Sequence, residues 1–246
     1  MYTGFAEVYD RLMSDVDYPA WAAFYTELLR SRGISGGTLC ECACGTGGLT
    51  LPLQRAGWQV TGADLSQEML EQAQRKAREE GLPVRFVCQD MRRLQLHHPV
   101  DAVLATCDGV NYLLKEKDLT AFLRSAWTAL RPGGCLAFDV STPRKLSKVL
   151  GDSLLAEDTP EITYLWQNRH LPRQHCVDLH LCIFVLEQDG RYRRLDEEQR
   201  QRAWTREELA DALRETGFRD PAFHGDRRMA PPRPDENRWH VTALKP

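Results

Sequence analysis

The residues of this chain that could do chemistry are concentrated in the segment E-C-A-C-G-T-G, residues 41–47. It holds a carboxylate, two thiols and two glycines. Three interpretations fit such a cluster: a metal-binding pair of cysteines, a phosphate-binding glycine loop, or a backbone cradle for another nucleotide-like ligand. Each of them requires different residues elsewhere in the chain.

The cysteines lack the spacing of a metal site or a disulfide framework. Cys40, Cys42 and Cys44 alternate with other residues, and no second C-x-x-C pair supplies the other half of a zinc site. Most of the others lie in or beside apolar runs, where a free thiol packs as a small hydrophobic group. The histidines at 170, 175 and 180 share no face of a helix or strand. We therefore predict free, structural cysteines and no metal.

Two nucleotide-binding interpretations of the glycines need further residues. A P-loop requires Lys-Ser or Lys-Thr after the glycines, and neither follows here. The dinucleotide pattern G-x-G-x-x-G is broken, because Thr50 occupies its last position, although Asp64 follows at a suitable distance for a ribose diol. An NAD-dependent oxidoreductase stays open as an alternative.

The elements that must position these residues alternate between strand and helix. Apolar runs predict five buried strands, at 38–43, 58–63, 83–88, 100–106 and 135–140. Helical periodicity predicts helices between them, at 49–56, 66–80 and 119–130. Such alternation builds βαβ units and a mostly parallel sheet, whose ligands bind outside the carboxyl ends of its strands.

The pattern differs on either side of this region. An amphipathic helix is predicted at 18–32, and three strands without intervening helices predict an antiparallel insert, at 162–169, 176–187 and 192–203. Thr205 and Glu208 form a capping box for a last helix, before two closing strands. We therefore predict one domain, 1–246, with four parts: an N-terminal helical segment (1–37), a cofactor-binding core (38–150), the insert (151–204) and a closing segment (205–246).

Four motifs in this frame resemble those of class I S-adenosylmethionine-dependent methyltransferases. They are E-C-A-C-G-T-G at 41–47, V-T-G-A-D-L-S at 60–66, F-V-C-Q-D-M at 86–91 and L-R-P-G-G at 130–134. The segments Y-D-R-L-M and Q-R-A-W-T further resemble bacterial small-molecule-type members with an antiparallel insert. The resemblance implies a Rossmann-like α/β sheet, mostly parallel with an antiparallel last strand, and S-adenosyl-L-methionine as the cofactor.

The resemblance also implies how the first two motifs hold the cofactor. Glu41 is expected at its ammonium, and the backbone at Gly45 and Gly47 is expected to come close to it. Asp64 is expected to accept two hydrogen bonds from the ribose hydroxyls, although it could instead be a turn acid before the next helix. Ala43 stands where the family has its first glycine, and its small size is expected to suffice.

The adenine is expected at the third motif. Asp90 would accept from its amino group while the Met91 N–H donates to the ring, although Asp90 could also be a surface acid. Leu65 and Met69 are expected to pack on the adenine faces, and Met69 taken alone is more typical of a core residue.

The methyl acceptor is restricted by what the sequence lacks. The net charge is −3, no D/N-P-P-Y/F/W follows the fourth strand, and no Pro-Cys dipeptide occurs, so a small molecule is favoured over nucleic acid. The insert is expected to cover this site, because methyl transfer needs shielding from water. Tyr9 and Cys107 are expected to contact the cofactor and also to face the acceptor. The further acceptor-facing candidates are Asp108, Asn111, Tyr112, Trp166, His170 and Arg202.

Three of these candidates have a structural alternative. Tyr9 could be an anchoring aromatic, Asp108 a turn residue and Arg202 part of a solvated charged face. No general base is assigned, and a non-catalytic S-adenosylmethionine-binding module stays open as an alternative.

The location and assembly of the chain can be inferred only in part. Neither a signal peptide nor an apolar segment of about 18 residues is found, so a cytoplasmic protein without membrane contact is expected. No sequence feature sets an oligomeric state.

Overall fold

Residues 4–246 are described by the computed structural model, and they form two sheets and six α-helices. In chain order the strands are β1 (Thr38–Cys42), β2 (Gln59–Asp64), β3 (Arg85–Cys88), β4 (Val100–Ala105), β5 (Leu130–Ser141), β6 (Leu154–Asp158), β7 (Ile162–Leu171), β8 (Cys176–Leu186), β9 (Tyr192–Arg202), β10 (Arg219–His224) and β11 (Arg238–Leu244). The helices are α1 (Phe5–Leu12), α2 (Tyr18–Ser31), α3 (Thr50–Arg55), α4 (Gln67–Glu79), α5 (Glu116–Ala129) and α6 (Arg206–Glu215).

The larger sheet has the order β10-β11-β5-β4-β1-β2-β3. Its strands from β3 across to β5 are parallel, and β11 is antiparallel to β5. Apolar side chains of β1 and β4 are buried on both faces, against α5 and α6 on one side and α2 and α3 on the other. The predicted α/β class, a mostly parallel sheet with an antiparallel last strand, is therefore confirmed.

The smaller sheet leaves the larger one after β5 and returns at α6, in the order β6-β7-β8-β9. All its pairs are antiparallel, as predicted, but β6 makes a fourth strand where three were expected. All five residues of β6 are exposed, so they have no alternation of buried and exposed positions from which a strand could be predicted.

The smaller sheet has an inner face toward the body of the protein and an outer face toward solvent. Ile183 and Val185 point inward and are buried, whereas Phe184 between them is half-buried on the outer face, with the Arg194 guanidinium 5.8 Å from its ring. These consecutive apolar residues therefore face both sides of the sheet, and the outer side is only partly covered at Phe184.

Helix α1 lies between the two sheets. Its buried residues Phe5, Ala6 and Val8 pack with inner-face residues of β7 and β8 and with α4. Ion pairs join it to the same surroundings: Asp10 to Lys76 at 2.6 Å, Glu7 to Arg193 at 3.0 Å, and Arg11 to Glu161 at 3.6 Å. Helix α1 therefore mediates part of the contact between the insert and the rest of the protein.

Helix α6 begins as the sequence predicts. The Glu208 N–H donates to the Thr205 hydroxyl at 3.1 Å, and the Glu208 carboxylate accepts from the Thr205 N–H at 2.7 Å. Trp204 and Leu209, on either side of this capping box, are both fully buried. In the described part of the chain, none of the helices is long and apolar enough to cross a membrane.

We predict that Thr205→Ala lowers the free energy of unfolding by about 1 kcal/mol, because the first turn of α6 loses its side-chain cap. Chemical denaturation measures the change. Thr128→Ala, at an exposed position inside α5, is the control and should be neutral or slightly stabilising, since alanine is the better helix former. Equal losses in both variants would contradict the capping role.

Candidate functional site

The carboxyl ends of four neighbouring strands bring the predicted site residues to one edge of the sheet. In the spatial order β4-β1-β2-β3, this edge carries Cys107, Glu41, Asp64 and Asp90. Their order in space differs from their order in sequence, because the chain enters the sheet at its centre and crosses to β4 only after β3. An extended ligand on this edge would meet the four in turn.

Glu41 is a buried carboxylate in the central strand, 2% exposed. The hydroxyls of Thr50 and Thr106 donate to its two oxygens, at 2.5 Å and 3.2 Å. Burial raises the pKa of Glu41 to about 7, and the two hydroxyls oppose the shift. Because a nearby cation favours the charged form, this carboxylate would ionise on meeting an ammonium group.

Asp64 joins the end of β2 to the glycine loop. Its Oδ2 accepts from the Gly45 N–H at 2.8 Å, and its Oδ1 accepts from the Ser66 N–H at 2.8 Å. Burial raises its pKa, while these backbone donors lower it. Asp64 thus has the turn contact that its structural alternative requires, and it also faces the loop expected to hold the ligand.

The glycine loop has left-handed backbone at three positions. Gly45 and Gly47 have φ of 54° and 78°, values that glycine adopts without steric cost. Ala43 has φ of 53°, where a β-carbon is strained. The sequence analysis considered only the size of the Ala43 side chain. The structure shows that the backbone conformation at this position also favours glycine.

The third motif is organised by an ion pair. Arg92 donates to both carboxylate oxygens of Asp90, from Nε at 3.0 and 2.9 Å, and also pairs with Asp118 at 3.1 Å. Hydrogen bonds from Arg92 hold the pKa of Asp90 below its ordinary value, although partial burial opposes them. Asp90 is consequently a fixed, charged acceptor rather than an unconstrained surface acid.

The two apolar residues assigned to adenine differ in their surroundings. Leu65 is 63% exposed directly after Asp64, so it offers apolar surface at the sheet edge. Met69 is 4% exposed and packs with Phe5 and Val8 of α1. The structure thus favours the core alternative for Met69 over an adenine contact. Met91 is half-buried against the main core.

Two tyrosines cover the glycine loop, and the sequence indicated only one of them. A β-carbon built on Gly45 would lie 4.0 Å from the Tyr9 ring, and one built on Gly48 would overlap the Tyr18 ring at 2.7 Å. The two side chains hydrogen-bond each other, and burial raises the pKa of Tyr18. Tyr18 was missed because it opens α2, where its position is typical of an ordinary helix start.

The same loop is fixed by Asp10, which the sequence pattern also did not indicate. The Thr46 hydroxyl donates to its Oδ1 at 2.5 Å, and the Lys76 ammonium donates to its Oδ2 at 2.6 Å. Only its place beside Tyr9 in the Y-D-R-L-M segment could have indicated a role.

Two acceptor candidates are engaged in contacts within the fold. Asn111 is fully buried, with its amide bonded to the backbone N–H and C=O of Ser141 and to the C=O of Arg202. The Arg202 guanidinium lies 3.8 Å from the centroid of the Trp204 ring and pairs with Glu208 at 2.8 Å. Asn111 joins the insert to β5, and Arg202 is neither in a pocket nor on a solvated face.

Trp166 and His170 lie on the inner face of the insert but away from the glycine loop. Trp166 packs against Leu146 and Leu150 of a π-helix, and the His170 N–H donates to Asp152 at 2.8 Å. Across residues 4–246, no described contact joins either side chain to the cofactor edge, so the structure does not support them as acceptor-facing residues.

Asp108 and Tyr112 keep positions compatible with an acceptor site. Asp108 pairs with Lys145 at 3.8 Å and with Arg238. Although burial acts in the opposite direction, these cations hold its pKa below the ordinary value. Tyr112 is 39% exposed and its hydroxyl donates to Gln199 of the inner face at 2.6 Å. Both belong to the loop after β4, beside the glycine loop.

The cysteines are all free thiols. Burial raises the pKa of Cys44 and of Cys107, so neither is a ready thiolate at neutral pH. Within the described chain, no three potential ligands from His, Cys, Asp and Glu are grouped to hold a metal ion.

We predict that Ala43→Gly raises the free energy of unfolding by about 0.5–1 kcal/mol, because relief of left-handed strain exceeds the added entropy of the unfolded chain. Thermal and chemical unfolding measure it. Ala56→Gly, at an exposed position with φ of −73°, is the control and should destabilise by a similar amount. A loss of stability in both variants would show that Ala43 is not strained.

Comparisons with known proteins agree with this geometry. A family model described as a methyltransferase domain matches residues 39–134. The protein YqeM of Bacillus subtilis (strain 168), assigned to the methyltransferases, is 36% identical over 219 residues, which are 89% of this chain and 86% of YqeM.

Two further similarities extend this result. The crystal structure of an S-adenosylmethionine-dependent methyltransferase from Clostridium acetobutylicum matches with a TM-score of 0.87 and 30% identity, over 99% of this chain and 98% of that one. The dTDP-3-amino-3,4,6-trideoxy-alpha-D-glucopyranose N,N-dimethyltransferase of Streptomyces venezuelae is 32% identical over 137 residues, 54% of this chain and 56% of that enzyme. None of these relatives supports the oxidoreductase or non-catalytic alternatives. The chain belongs to the class I S-adenosylmethionine-dependent methyltransferases.

Proposed function

We propose that this methyltransferase holds S-adenosylmethionine across the carboxyl ends of β3, β2, β1 and β4 and methylates a small molecule beneath the insert. One observation carries the proposal. Asp90, Asp64 and Glu41 lie along the sheet edge in that order, which is the order of adenine, ribose and amino-acid end in the cofactor, and Cys107 on the far side of Glu41 begins the loop that would face the acceptor.

The nucleoside half would be held by Asp64, Leu65 and the third motif. A carboxylate offers about four acceptor sites. The Gly45 and Ser66 N–H groups each occupy one site on Asp64, so its oxygens can still accept hydrogen bonds from the ribose hydroxyls. Leu65 supplies exposed apolar surface for the adenine ring. Asp90, with the Met91 N–H beside it, would accept the adenine amino group in place of one of its contacts with Arg92, which now donates to both carboxylate oxygens.

The amino-acid half would lie over the glycine loop. Left-handed Gly45 and Gly47 turn backbone toward the ligand where side chains would collide. Glu41 then faces the ammonium, whose charge would favour the ionised carboxylate and offset the desolvation that raises its pKa. Tyr9 and Tyr18 would cover this half, since both lie against the loop.

The acceptor would lie between the loop after β4 and the inner face of β9. Glu197 and Gln201 are buried there, and Gln199 bonds Tyr112. Polar residues are unusual on a face that packs toward a core, and they suit an acceptor with hydrogen-bonding groups. The Streptomyces relative, whose name specifies an amino sugar as its acceptor, supports a small polar molecule.

The chemistry that remains for the protein is alignment and shielding. The bound cofactor supplies a methyl group already activated by its sulfonium, for displacement by an acceptor in line with the carbon–sulfur bond. The loop after β4 would orient the acceptor, and the insert with α1 would exclude water. No protein nucleophile is needed for such a step.

We predict that Glu41→Gln raises stability and weakens cofactor binding. With its pKa raised from 4.5 to about 7, the wild type loses stability as the pH rises through that interval, because the folded state must then bury a charge. At pH 8 the variant should be more stable by roughly 2–4 kcal/mol, and at pH 5 by much less.

Calorimetry with S-adenosylhomocysteine, which retains the ammonium, measures the second effect. The variant should bind about ten- to a hundredfold more weakly at pH 8, since a charged hydrogen bond is lost. Wild-type affinity should fall below pH 7, where Glu41 is protonated. Glu27→Gln, on the exposed side of α2, is the control. Unchanged affinity in Glu41→Gln would remove Glu41 from the site.

The acceptor is tested with methyl-labelled S-adenosylmethionine and pooled small amines, amino sugars, carboxylic acids and phenols, with transfer RNA and DNA as competing substrates. We expect label in a small molecule. Label in nucleic acid alone would overturn the proposal.

With an acceptor in hand, we predict that Gln199→Ala raises its KM about tenfold and leaves S-adenosylhomocysteine affinity within twofold. Glu198→Ala, one residue away on the outer face, should change neither quantity. Equal effects of the two variants would show that the inner face of β9 does not line the acceptor pocket.

A further inference from the structure

The turn that comes after β4 has an unusual backbone. Cys107 and Asp108 are consecutive non-glycine residues with φ of 54° and 65°. Such conformations cost free energy and persist only where surrounding contacts impose them. The turn also abuts the glycine loop: Thr106 donates to Glu41, and a β-carbon on Gly109 would lie 3.3 Å from that of Ala43.

Asp139 of β5 imposes this conformation. It is fully buried, and its two oxygens accept the N–H groups of Cys107 at 2.7 Å and Asp108 at 3.1 Å. The Tyr25 hydroxyl donates to the same carboxylate at 3.1 Å. One side chain therefore binds both backbone donors of the strained pair.

Arg238 of β11 balances the charge. It pairs with both Asp139 and Asp108, and its guanidinium lies 5.2 Å from the centroid of the Trp21 ring. The Arg238 side chain is only 14% exposed. Buried ion pairs add little net stability, because desolvation offsets their attraction. Net stability alone is therefore weak grounds for this arrangement.

We propose that Asp139 and Arg238 are positioning residues, which set the Cys107–Asp108 turn against the amino-acid end of the bound cofactor and the sulfonium beside it. The inference rests on the proposed function, since it assumes that β4 lies at that end. Neither residue is among those proposed to contact the cofactor. They act through the two backbone N–H groups and the Asp108 carboxylate.

The test compares three ligands that share the nucleoside half: S-adenosylmethionine, S-adenosylhomocysteine and adenosine. In Asp139→Asn, an amide NH₂ replaces one oxygen and cannot accept from a backbone N–H. We expect at least a tenfold loss of affinity for S-adenosylmethionine, a smaller loss for S-adenosylhomocysteine, and adenosine affinity within twofold of the wild type.

A matched control lies at the opposite end of β4. Asp101 pairs with Arg131 at 2.6 Å and accepts the Thr38 N–H at 2.8 Å, so Asp101→Asn also breaks an ion pair and a backbone contact. It should lower stability without changing the ratio of the three affinities. If Asp139→Asn does not fold, the titrations use Asp139→Asn combined with Arg238→Met, which removes the buried cation together with its partner.

The outcomes separate this inference from the proposed function. Equal losses for all three ligands, or none, in the Asp139 variant would overturn the positioning role while the wild type still binds the cofactor. A wild type that binds none of the three would overturn the proposed function and this inference with it. Arg238→Lys should retain more of the selectivity for S-adenosylmethionine than Arg238→Met, because it keeps the charge.

Discussion

The parallel pairing of β1 with β2 on one side and β4 on the other is the constraint on which the site depends. It aligns Cys42 with Ala63 and with Ala105, so three strands end at one level and three loops begin there. Crossovers between parallel strands run over the faces of a sheet, and its carboxyl edge is left to the loops. Every side chain assigned to the cofactor depends on that alignment.

This pairing concentrates energetically costly features at one edge of the sheet. Glu41 is buried there as an acid whose pKa is about 7. Ala43, Cys107 and Asp108 hold left-handed backbone without being glycine. Elsewhere the chain obeys ordinary local rules, as the capping box of α6 illustrates. Strain and buried charge of this kind are typical of ligand sites, where they are maintained by the rest of the fold.

The sequence predicted the fold well because local patterns and global architecture agree in the core. The apolar stripe of α5, the Ser66 cap of α4 and the Asp189-Gly190 hairpin all form where their residues indicate. It failed at β6, whose residues are all exposed. An edge strand of this kind is held by pairing with its neighbour, and no periodicity records such pairing.

The position of a candidate residue at the sheet edge could be predicted where a local motif sets it, whereas contacts that depend on long-range packing could not. Asp64 and Asp90 lie at strand ends that can be identified by counting. Asn111 has a suitable residue type, but its amide is taken up by backbone partners 30 and 91 positions away. Tyr18 gave no signal, because its role arises only when α2 folds back against Gly48.

Helix α1 has a consequence for how ligands exchange. It covers the glycine loop and is attached by its apolar face, by hydrogen bonds of Tyr9 and Asp10, and by three ion pairs, to α4, to β9 and to the turn before β7. Exposed pairs of this kind are weakened by salt, since mobile ions screen them within about 8–10 Å at physiological ionic strength. Raising the ionic strength would therefore weaken the attachment of this eight-residue helix, whereas the contacts of the buried edge beneath it would change little. Ionic strength would change how fast a ligand enters and leaves this enzyme more than how tightly it is finally held.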